Sequence, residues 1–359
     1  MSTPFLTRAG ALSGFAGLRF FQCVKRLLPA CMLGLLSGCN TVVMNPSGDV
    51  ARQQADLILV STWLMLIIIV PVILLTFFFA WKYRQSNTSA TYEPDWDHSA
   101  KLELVIWGAP LLIIIVLGLV TWVSTHKLDP YRPLSRLTEG VALHKEADYL
   151  EVQVSALDWK WLFIYPEYGI ATVNELVTPA NKPIRFKITS ATVMNSFFIP
   201  ALAGQIYAMP GMETTLHAVI NEPGEYTGFS ANYSGAGFSH MRFAYRGVSA
   251  EDFQQWVAQV KASGQSLDTA HYLQLEQPTI KHPVERYAQV QEGMWHAIVN
   301  RCVHEGSVCM DAQMLADAQR MGSTEDSIAV LLGQTFAVLC LPANWWHGSL
   351  TLLTSCKAS

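Results

Sequence analysis

The stretch YTGFSANYSGAGFSHM, from Tyr226 to Met241, decides the fold of this chain. It begins as a strand-like run, continues through small and polar residues, and ends in a histidine and a methionine. Copper–thiolate sites need a cysteine sulfur, and the sequence has no cysteine between Asn40 and Arg301. The stretch therefore carries soft-metal candidates without the thiolate that would anchor copper.

The stretch resembles the loop that holds binuclear copper in subunit II of haem-copper cytochrome c oxidases. In that family the pattern runs Cys, Glu and Cys at every second residue, then His four later and Met three beyond. On that pattern Ser230 and Ser234 occupy the cysteine positions, Asn232 the glutamate and Phe238 the second histidine. Met241 alone matches.

Upstream, the segment VMNSFFIP places Asn195 where the family carries its first histidine. A scaffold without its electron carrier resembles the quinol-oxidising branch, the cytochrome bo-type ubiquinol oxidases, whose second subunit takes no electrons from cytochrome c. The resemblance covers roughly Leu36 to Val260, and beyond it we expect the chain to diverge.

Composition favours a membrane-attached, exported protein. Hydrophobic residues make up 51% and charged residues only 14% of the chain, which is rich in apolar residues for a soluble domain. The formal net charge is −4. The chain has no excess of basic residues, so nucleic acid is not expected as a partner.

Residues 1–38 have the pattern of a signal peptide. Lys25 and Arg26 supply a positive region, and residues 27–36 form an apolar core too short to span a bilayer. The order Leu-Ser-Gly-Cys, ending at Cys39, resembles the lipobox of bacterial lipoproteins, in which the cysteine is lipidated. The alternative is a plain apolar segment that happens to end in cysteine.

Residues 57–81 and 103–126 are predicted to be two transmembrane helices, because each is long and apolar enough for a hydrocarbon core that needs about 20 residues. Basic residues lie on both sides, so the positive-inside rule does not fix the orientation. The lipobox does: residues 39–56 are periplasmic, residues 82–102 form a cytoplasmic loop, and the C-terminal domain is periplasmic. This arrangement predicts a multi-pass protein of the bacterial inner membrane.

Residues 127–249 are predicted to form an all-β domain. Short, partly alternating runs are separated by turn signals such as Pro210 and Pro223, which favours a Greek-key sandwich. These runs are LEVQVSA, PIRFKIT, TTLHAVI, GEYTGFSA and HMRFAYRG. The resemblance makes the sandwich cupredoxin-like.

The segment DWKWLFIYPEYG, Asp158 to Gly169, corresponds to an aromatic segment that lies beside the copper site in the family. Without copper to supply electrons, we expect Trp159, Trp161, Phe163 and Tyr165 to fill the core and the interface with subunit I. A residual redox role is the alternative.

Histidines and methionines near the loop raise the alternative of a mononuclear copper site. Without a thiolate, an imidazole beside a thioether is a weak signal, and methionine often fills gaps in cores. We therefore expect packing roles for this set: Met194, Met209, Met212, His217, His240 and Met241.

Residues 250–299 are predicted to be a helical extension packed on the sandwich. Ser249 is a plausible N-cap, acidic residues follow it, and apolar residues recur at helical spacing. Residues 300–359 form a divergent tail.

The tail holds Cys302, Cys309, Cys340 and Cys356. In a compartment that permits disulfides, four cysteines fit two bridges in three possible pairings, with Cys302–Cys309 a candidate. Capture of copper or zinc remains an alternative, with further candidate ligands at His304, Met310 and Met314.

The resemblance implies a complex that oxidises ubiquinol, reduces dioxygen to water and pumps protons. Haems, copper and the quinol site are expected on subunit I, and this chain is expected to carry no cofactor and no catalytic residue. Its partners would be subunit I, the other oxidase subunits and membrane lipid, but not cytochrome c. A free-standing periplasmic cupredoxin-like binding lipoprotein is the alternative; Ser230 and Ser234 exclude a copper carrier of the cytochrome c type.

Glu103 is the candidate proton-entry residue. The segment HSAKLELVIW, His98 to Trp107, resembles the family signature in which a glutamate lies at the entrance of a proton pathway into subunit I. A carboxyl group at a membrane boundary can collect a proton from water and release it into a hydrated channel. The alternative is an ordinary interfacial glutamate, paired with Lys101.

Overall fold

The computed structural model describes residues 41–91, 93–143 and 148–320. It contains two long apolar helices, a β-sandwich and a C-terminal part made of short helices and strands. The predicted leader, Cys39, Cys340 and Cys356 lie outside the described residues.

Helix α1 spans Asp49–Lys82 and helix α2 spans Ala100–Lys127. Among the described residues, these two helices are long and apolar enough to cross a membrane. The apolar side chains of both helices point outward on all faces, and no residue of α2 is buried. A helix that is apolar all round needs lipid or another protein around it. The helices therefore agree with the two predicted spans and extend beyond them at both ends.

The first turns of helix α1 lie against the sandwich. The backbone N–H groups of Ser47 and Gly48 both donate to Ala201 O. A Cβ atom on Gly48 would lie 2.5 Å from Leu202 O, so only glycine allows this close approach. Buried Asp49 then pairs with Arg136 at 2.9 Å. Helix α1 thus starts as part of the folded domain, before its apolar run begins.

The strands that follow helix α2 are β1 Arg136–Thr138, β2 Val141–Ala142, β3 Leu150–Leu157, β4 Lys160–Tyr165, β5 Ile170–Val173, β6 Glu175–Pro179, β7 Ile184–Ser190, β8 Asn195–Phe198, β9 Ile206–Ala208, β10 Thr214–Ala218, β11 Gly224–Ser230, β12 Arg242–Val248, β13 Ser266–Leu267, β14 Glu285–Tyr287 and β15 Gln289–Val290.

Two sheets form the sandwich. The first has strand order β10-β7-β3-β4-β5-β14, and the second has strand order β6-β12-β11-β8-β9. Pairs β3–β7 and β6–β12 are parallel, and the other pairs within these two sheets are antiparallel.

Strand β4 is buried at every residue, because both of its faces are covered. Trp161, Phe163 and Tyr165 point into the core between the two sheets. Leu162 and Ile164 belong instead to a second apolar cluster, which includes residues of the C-terminal part. Successive side chains of a strand point to opposite faces, so one strand contributes to two cores.

The C-terminal part is only partly helical. Helices α3 Ala250–Lys261, α4 Thr269–Glu276 and α5 Met294–Val299 alternate with strands β13, β14 and β15. The prediction of a helical extension is right for α3, where Ser249 caps the helix by accepting a hydrogen bond from Asp252 N. Short strands β13, β14 and β15 lie between its helices within residues 250–299. Strand β14 forms because its backbone pairs with strand β5 and extends the first sheet at that edge, a long-range contact that helical periodicity cannot show.

A buried carboxylate joins this C-terminal part to the sandwich. Glu175, on β6, accepts two hydrogen bonds from Arg286, at 2.8 and 2.9 Å, and one from Arg246 at 2.8 Å. Trp256 Nε1 lies 3.4 Å from the same carboxylate. Burial opposes the charge, but the two arginines outweigh it and hold the pKa of Glu175 below its usual range. We call these four residues the Glu175 seam.

Candidate functional site

The loop that follows strand β11 brings together the six positions expected from the copper family. Strand β11 ends at Ser230, and the adjacent strand β8 begins at Asn195. A short 3-10 helix, Phe238–His240, then leads to Met241, the residue just before β12. We call Asn195, Ser230, Asn232, Ser234, Phe238 and Met241 the loop cluster.

Hydrogen bonds occupy the centre of the loop cluster. Ser230 Oγ lies 3.1 Å from Asn195 Oδ1 and 3.2 Å from Asn232 O, and its single proton serves one acceptor at a time. Asn195 Nδ2 donates to Val193 O at 3.1 Å, and Asn232 Nδ2 donates to Met194 O at 3.2 Å. Asn195 and Ser230 are buried. Neutral amide and hydroxyl groups therefore satisfy one another where the family places metal ligands.

The other loop-cluster residues complete this neutral packing. Met241 is 1% exposed, and its sulfur accepts a weak contact from Ser234 Oγ at 4.0 Å. The ring of Phe238 packs edge-on against that of Tyr233, with centroids 5.6 Å apart. None of the six side chains carries a charge, so they offer an incoming cation no counter-charge. The arrangement supports packing, and it fits a copper ion poorly.

Trp159 covers this loop from the neighbouring sheet. It adopts a left-handed backbone with φ 66° in the two-residue turn between β3 and β4, which is rare for a bulky residue. Its indole Nε1 donates to Ser234 O at 3.1 Å. A Cβ atom on Gly237 would lie 2.3 Å from Trp159 Cδ2. Glycine at that position is thus required for the ring to lie flat on the loop.

The remaining aromatic residues of this segment fill the core, as predicted. Trp161, Phe163 and Tyr165 are 0% exposed. Trp161 packs edge-on against Phe197 and Phe243, at 5.3 and 5.8 Å. Burial raises the pKa of the Tyr165 phenol, which donates to Val177 O and accepts from Val177 N. These contacts are those of packed core residues.

The histidines considered for a mononuclear copper site lie in different surroundings. His217 Nδ1 lies 3.2 Å from Pro130 O, where the chain after helix α2 meets the sandwich, and its ring packs edge-on against Tyr149. Burial lowers the pKa of His217. His240 is exposed in the 3-10 helix of the loop. His217 thus has a structural partner of its own.

Cys302 and Cys309 are joined by a disulfide. Their sulfurs lie within 4.8 Å of a ring nitrogen of His296, a residue that the sequence analysis did not single out. Sequence spacing gave no signal for it, because His296 lies on helix α5 and approaches the cysteines only where the chain turns back after that helix.

Glu103 lies in the first turn of helix α2 and is half exposed. Its Oε1 is 2.7 Å from His98 Nδ1. The structure thus pairs this carboxylate with His98, the residue that precedes the helix N-cap, Ser99.

Comparison with known proteins identifies the chain at the family level. Residues 167–248 match the family model "Cytochrome C oxidase subunit II, periplasmic domain", and residues 261–306 match "COX Aromatic Rich Motif". The chain is 53% identical over 275 residues to cytochrome bo(3) ubiquinol oxidase subunit 2 of Pseudomonas putida, covering 77% of this chain and 85% of that relative. The chain belongs to the ubiquinol oxidase subunit 2 family.

Other members of the subunit 2 family agree. Ubiquinol oxidase subunit 2 of Acetobacter aceti is 53% identical over 265 residues, which is 74% of this chain and 84% of that protein. Quinol oxidase subunit 2 of Bacillus cereus is 38% identical over 263 residues, 72% of this chain and 87% of that relative.

The matches correct one expectation. We expected the resemblance to end near Val260, but a family model extends it through residue 306. In the fold, residues 261–306 contribute Tyr272, Tyr287 and Met294 to the apolar cluster on the outer face of the first sheet.

Proposed function

We propose that this chain is the non-catalytic subunit 2 of a proton-pumping respiratory ubiquinol oxidase, which oxidises ubiquinol and reduces dioxygen to water. One observation carries the proposal: a chain of the ubiquinol oxidase subunit 2 family keeps the loop of the copper domain and fills it with neutral side chains, which hydrogen-bond to one another and to backbone carbonyls. Such a chain docks against subunit I and stabilises the complex, and it transfers no electrons.

The surface of the helices supports a docking role. Side chains along both helices are large, apolar and exposed, among them Trp63, Phe77, Leu104 and Trp122. Helix α1 is anchored to the sandwich through Gly48 and Asp49. The helix pair would lie against subunit I and lipid in the bacterial inner membrane, and the sandwich would cover the periplasmic surface of subunit I.

Purification tests this proposal directly. A tagged chain isolated in mild detergent should bring down a larger membrane subunit and show the optical spectrum of haem. Its preparation should oxidise ubiquinol with oxygen. Recovery of the chain alone, without haem and without quinol oxidation, would favour the free-standing binding lipoprotein instead.

We propose that the chain holds no cofactor of its own, with haems, copper and ubiquinol on subunit I. Copper analysis of the full chain separated from its partners should give far less than one copper per chain. A near-integer copper content with a purple, thiolate-type spectrum would contradict this. The matched comparison is a variant that carries the copper family's ligands at five positions of the loop cluster. Its substitutions are Asn195→His, Ser230→Cys, Asn232→Glu, Ser234→Cys and Phe238→His.

We propose two membrane spans with the sandwich in the periplasm and a lipid on Cys39. The Cys39→Ser variant should keep its leader and lose the lipid mass. Because the two spans remain, it should still be recovered in the membrane. An unmodified mature Cys39 by mass spectrometry would reject lipidation.

We propose that Glu103 passes protons toward subunit I, with His98 as its first partner. Glu103→Ala should leave the complex assembled and slow the part of the cycle that draws protons to the active site, whereas Glu103→Asp should largely preserve turnover. Glu93→Ala, which changes an exposed carboxylate in the loop that precedes helix α2, is the control. Unchanged turnover of assembled Glu103→Ala oxidase would make Glu103 an ordinary interfacial residue.

A further inference from the structure

A second group of metal-ligating side chains lies far along the chain from the loop cluster, at the end of the C-terminal part. It consists of His296, Cys302 and Cys309, whose ligand atoms all lie within 4.8 Å of one another. In a tetrahedral zinc site, Zn–S bonds of about 2.3 Å place two sulfurs about 3.8 Å apart. In the disulfide the two sulfurs are bonded to each other, so they have to separate to that distance before the three groups can share one ion.

His296 is already oriented by a second partner. Its Nε2 lies 2.8 Å from Asp311 Oδ2. Metal-ligating histidines commonly use one ring nitrogen for a carboxylate and the other for the ion. Asp311 would serve here as a positioning residue, which fixes the tautomer and the direction of the ring.

The loop that carries the cysteines is held closed by bonds other than the disulfide. Cys302 N donates to Ala297 O at 2.9 Å, at the start of the loop. At its end, Met310 N donates to Asn300 O at 3.0 Å, and Asp311 N donates to Asn300 Oδ1 at 3.3 Å. Both ends of the loop are thus tied to helix α5 and to Asn300. These hydrogen bonds would keep the two cysteines near His296 when the disulfide is reduced.

We propose that His296, Cys302 and Cys309 form a thiol-gated Zn²⁺ site, which binds the ion only when the disulfide is reduced. Two thiolates and one imidazole are ligands that Zn²⁺ prefers, and water fills the fourth position. In the oxidised chain the sulfurs are bonded to each other and supply no thiolate, so the same three residues do not hold the ion. This inference is independent of the oxidase function proposed above.

Reduction of the Cys302–Cys309 disulfide is a thiol–disulfide exchange with a dithiol reductant. Two electrons and two protons pass from the dithiol, which becomes a disulfide, and the Cys302–Cys309 bond breaks to give two thiols. Zn²⁺ then displaces the two thiol protons as it binds. The site therefore reports both the redox state and the supply of zinc outside the membrane.

Zinc titration of the full chain in mild detergent tests the proposal, with every other cysteine changed to serine: Cys23, Cys31, Cys39, Cys340 and Cys356. After reduction, the chain should bind one Zn²⁺ in competition with a chromophoric chelator. Cobalt in place of zinc should show the charge-transfer band of a cobalt–thiolate bond. Oxidation, or Cys302→Ser, should weaken binding on the order of 100-fold, and Asp311→Asn about tenfold.

The matched control is His304→Ala. His304 lies in the same loop but pairs with Glu276 at 2.7 Å, so its removal should leave zinc affinity unchanged, while His296→Ala should weaken it. Equal affinity in oxidised and reduced chains would overturn the proposal, as would full affinity in Cys302→Ser. Loss of the native circular-dichroism spectrum on reduction would overturn it too, because the site needs the loop to stay closed.

Discussion

Two polar clusters lie within the sandwich domain and differ in charge. The loop cluster uses only neutral groups, and the Ser230 hydroxyl donates to Asn195 Oδ1 or to Asn232 O. The Glu175 seam uses a buried carboxylate and two guanidinium groups. Breaking a buried ion pair is costly because the remaining charge loses its partner, whereas losing one neutral hydrogen bond costs less.

The comparison of the loop cluster with the Glu175 seam shows where the stability of this domain depends on buried charge. At the positions where copper relatives gather thiolates, imidazoles and a carboxylate, this chain has removed every ionisable side chain. It retains buried charge at the seam, where the charge joins the sandwich to the C-terminal part. The loop cluster is therefore expected to be insensitive to pH and metals, and the seam sensitive to pH.

Glu175→Gln should give the largest loss of stability. The change leaves Arg246 and Arg286 without their counter-charge, and their side chains are 34% and 37% exposed. We expect a loss of about 2–3 kcal/mol, below the range for fully buried pairs. Urea unfolding of the full chain in detergent measures it. Glu225→Gln, at an exposed residue of β11, is the control, and an equal effect of both changes would remove the contrast between the clusters.

Acid should reduce the stability supplied by the seam. Because the pKa of Glu175 is lowered in the folded chain, its contribution is complete above the unfolded value of about 4.3 and is lost as pH falls through the folded pKa. The stability difference between the wild type and Glu175→Gln should therefore shrink in acid. Urea unfolding at a series of pH values tests this, and a constant difference would show that Glu175 carries no pH dependence.

Ser230→Ala should have the smallest effect. It removes the hydroxyl that donates to Asn195 Oδ1 or Asn232 O, and we expect it to cost about 1 kcal/mol, with the same value at neutral and acid pH. Ser239→Ala, at an exposed residue of the same loop, should change nothing measurable. A strong pH dependence of the Ser230→Ala effect would mean that the loop cluster senses charge after all.

The sequence predicted the parts that depend on local pattern. Long apolar runs predicted both helices, turn signals and alternation predicted the sandwich, and Ser249 predicted the start of helix α3. Strand β14 was not predictable in this way, since Glu285–Tyr287 becomes a strand only beside Ile170–Val173. The family resemblance supplied the cupredoxin-like topology, because alternation alone does not say which strands pair.

The sequence by itself determined that residues 226–241 contain no cysteine, so the loop has no thiolate of its own to offer a copper ion. Tertiary structure decided what replaces it: Ser230 meets Asn195 across paired strands, and Trp159 lies on Gly237 from the opposite sheet. It also decided which cysteines pair and that His296 lies beside them. These outcomes join residues distant in sequence, and only packing of the whole domain sets such distances.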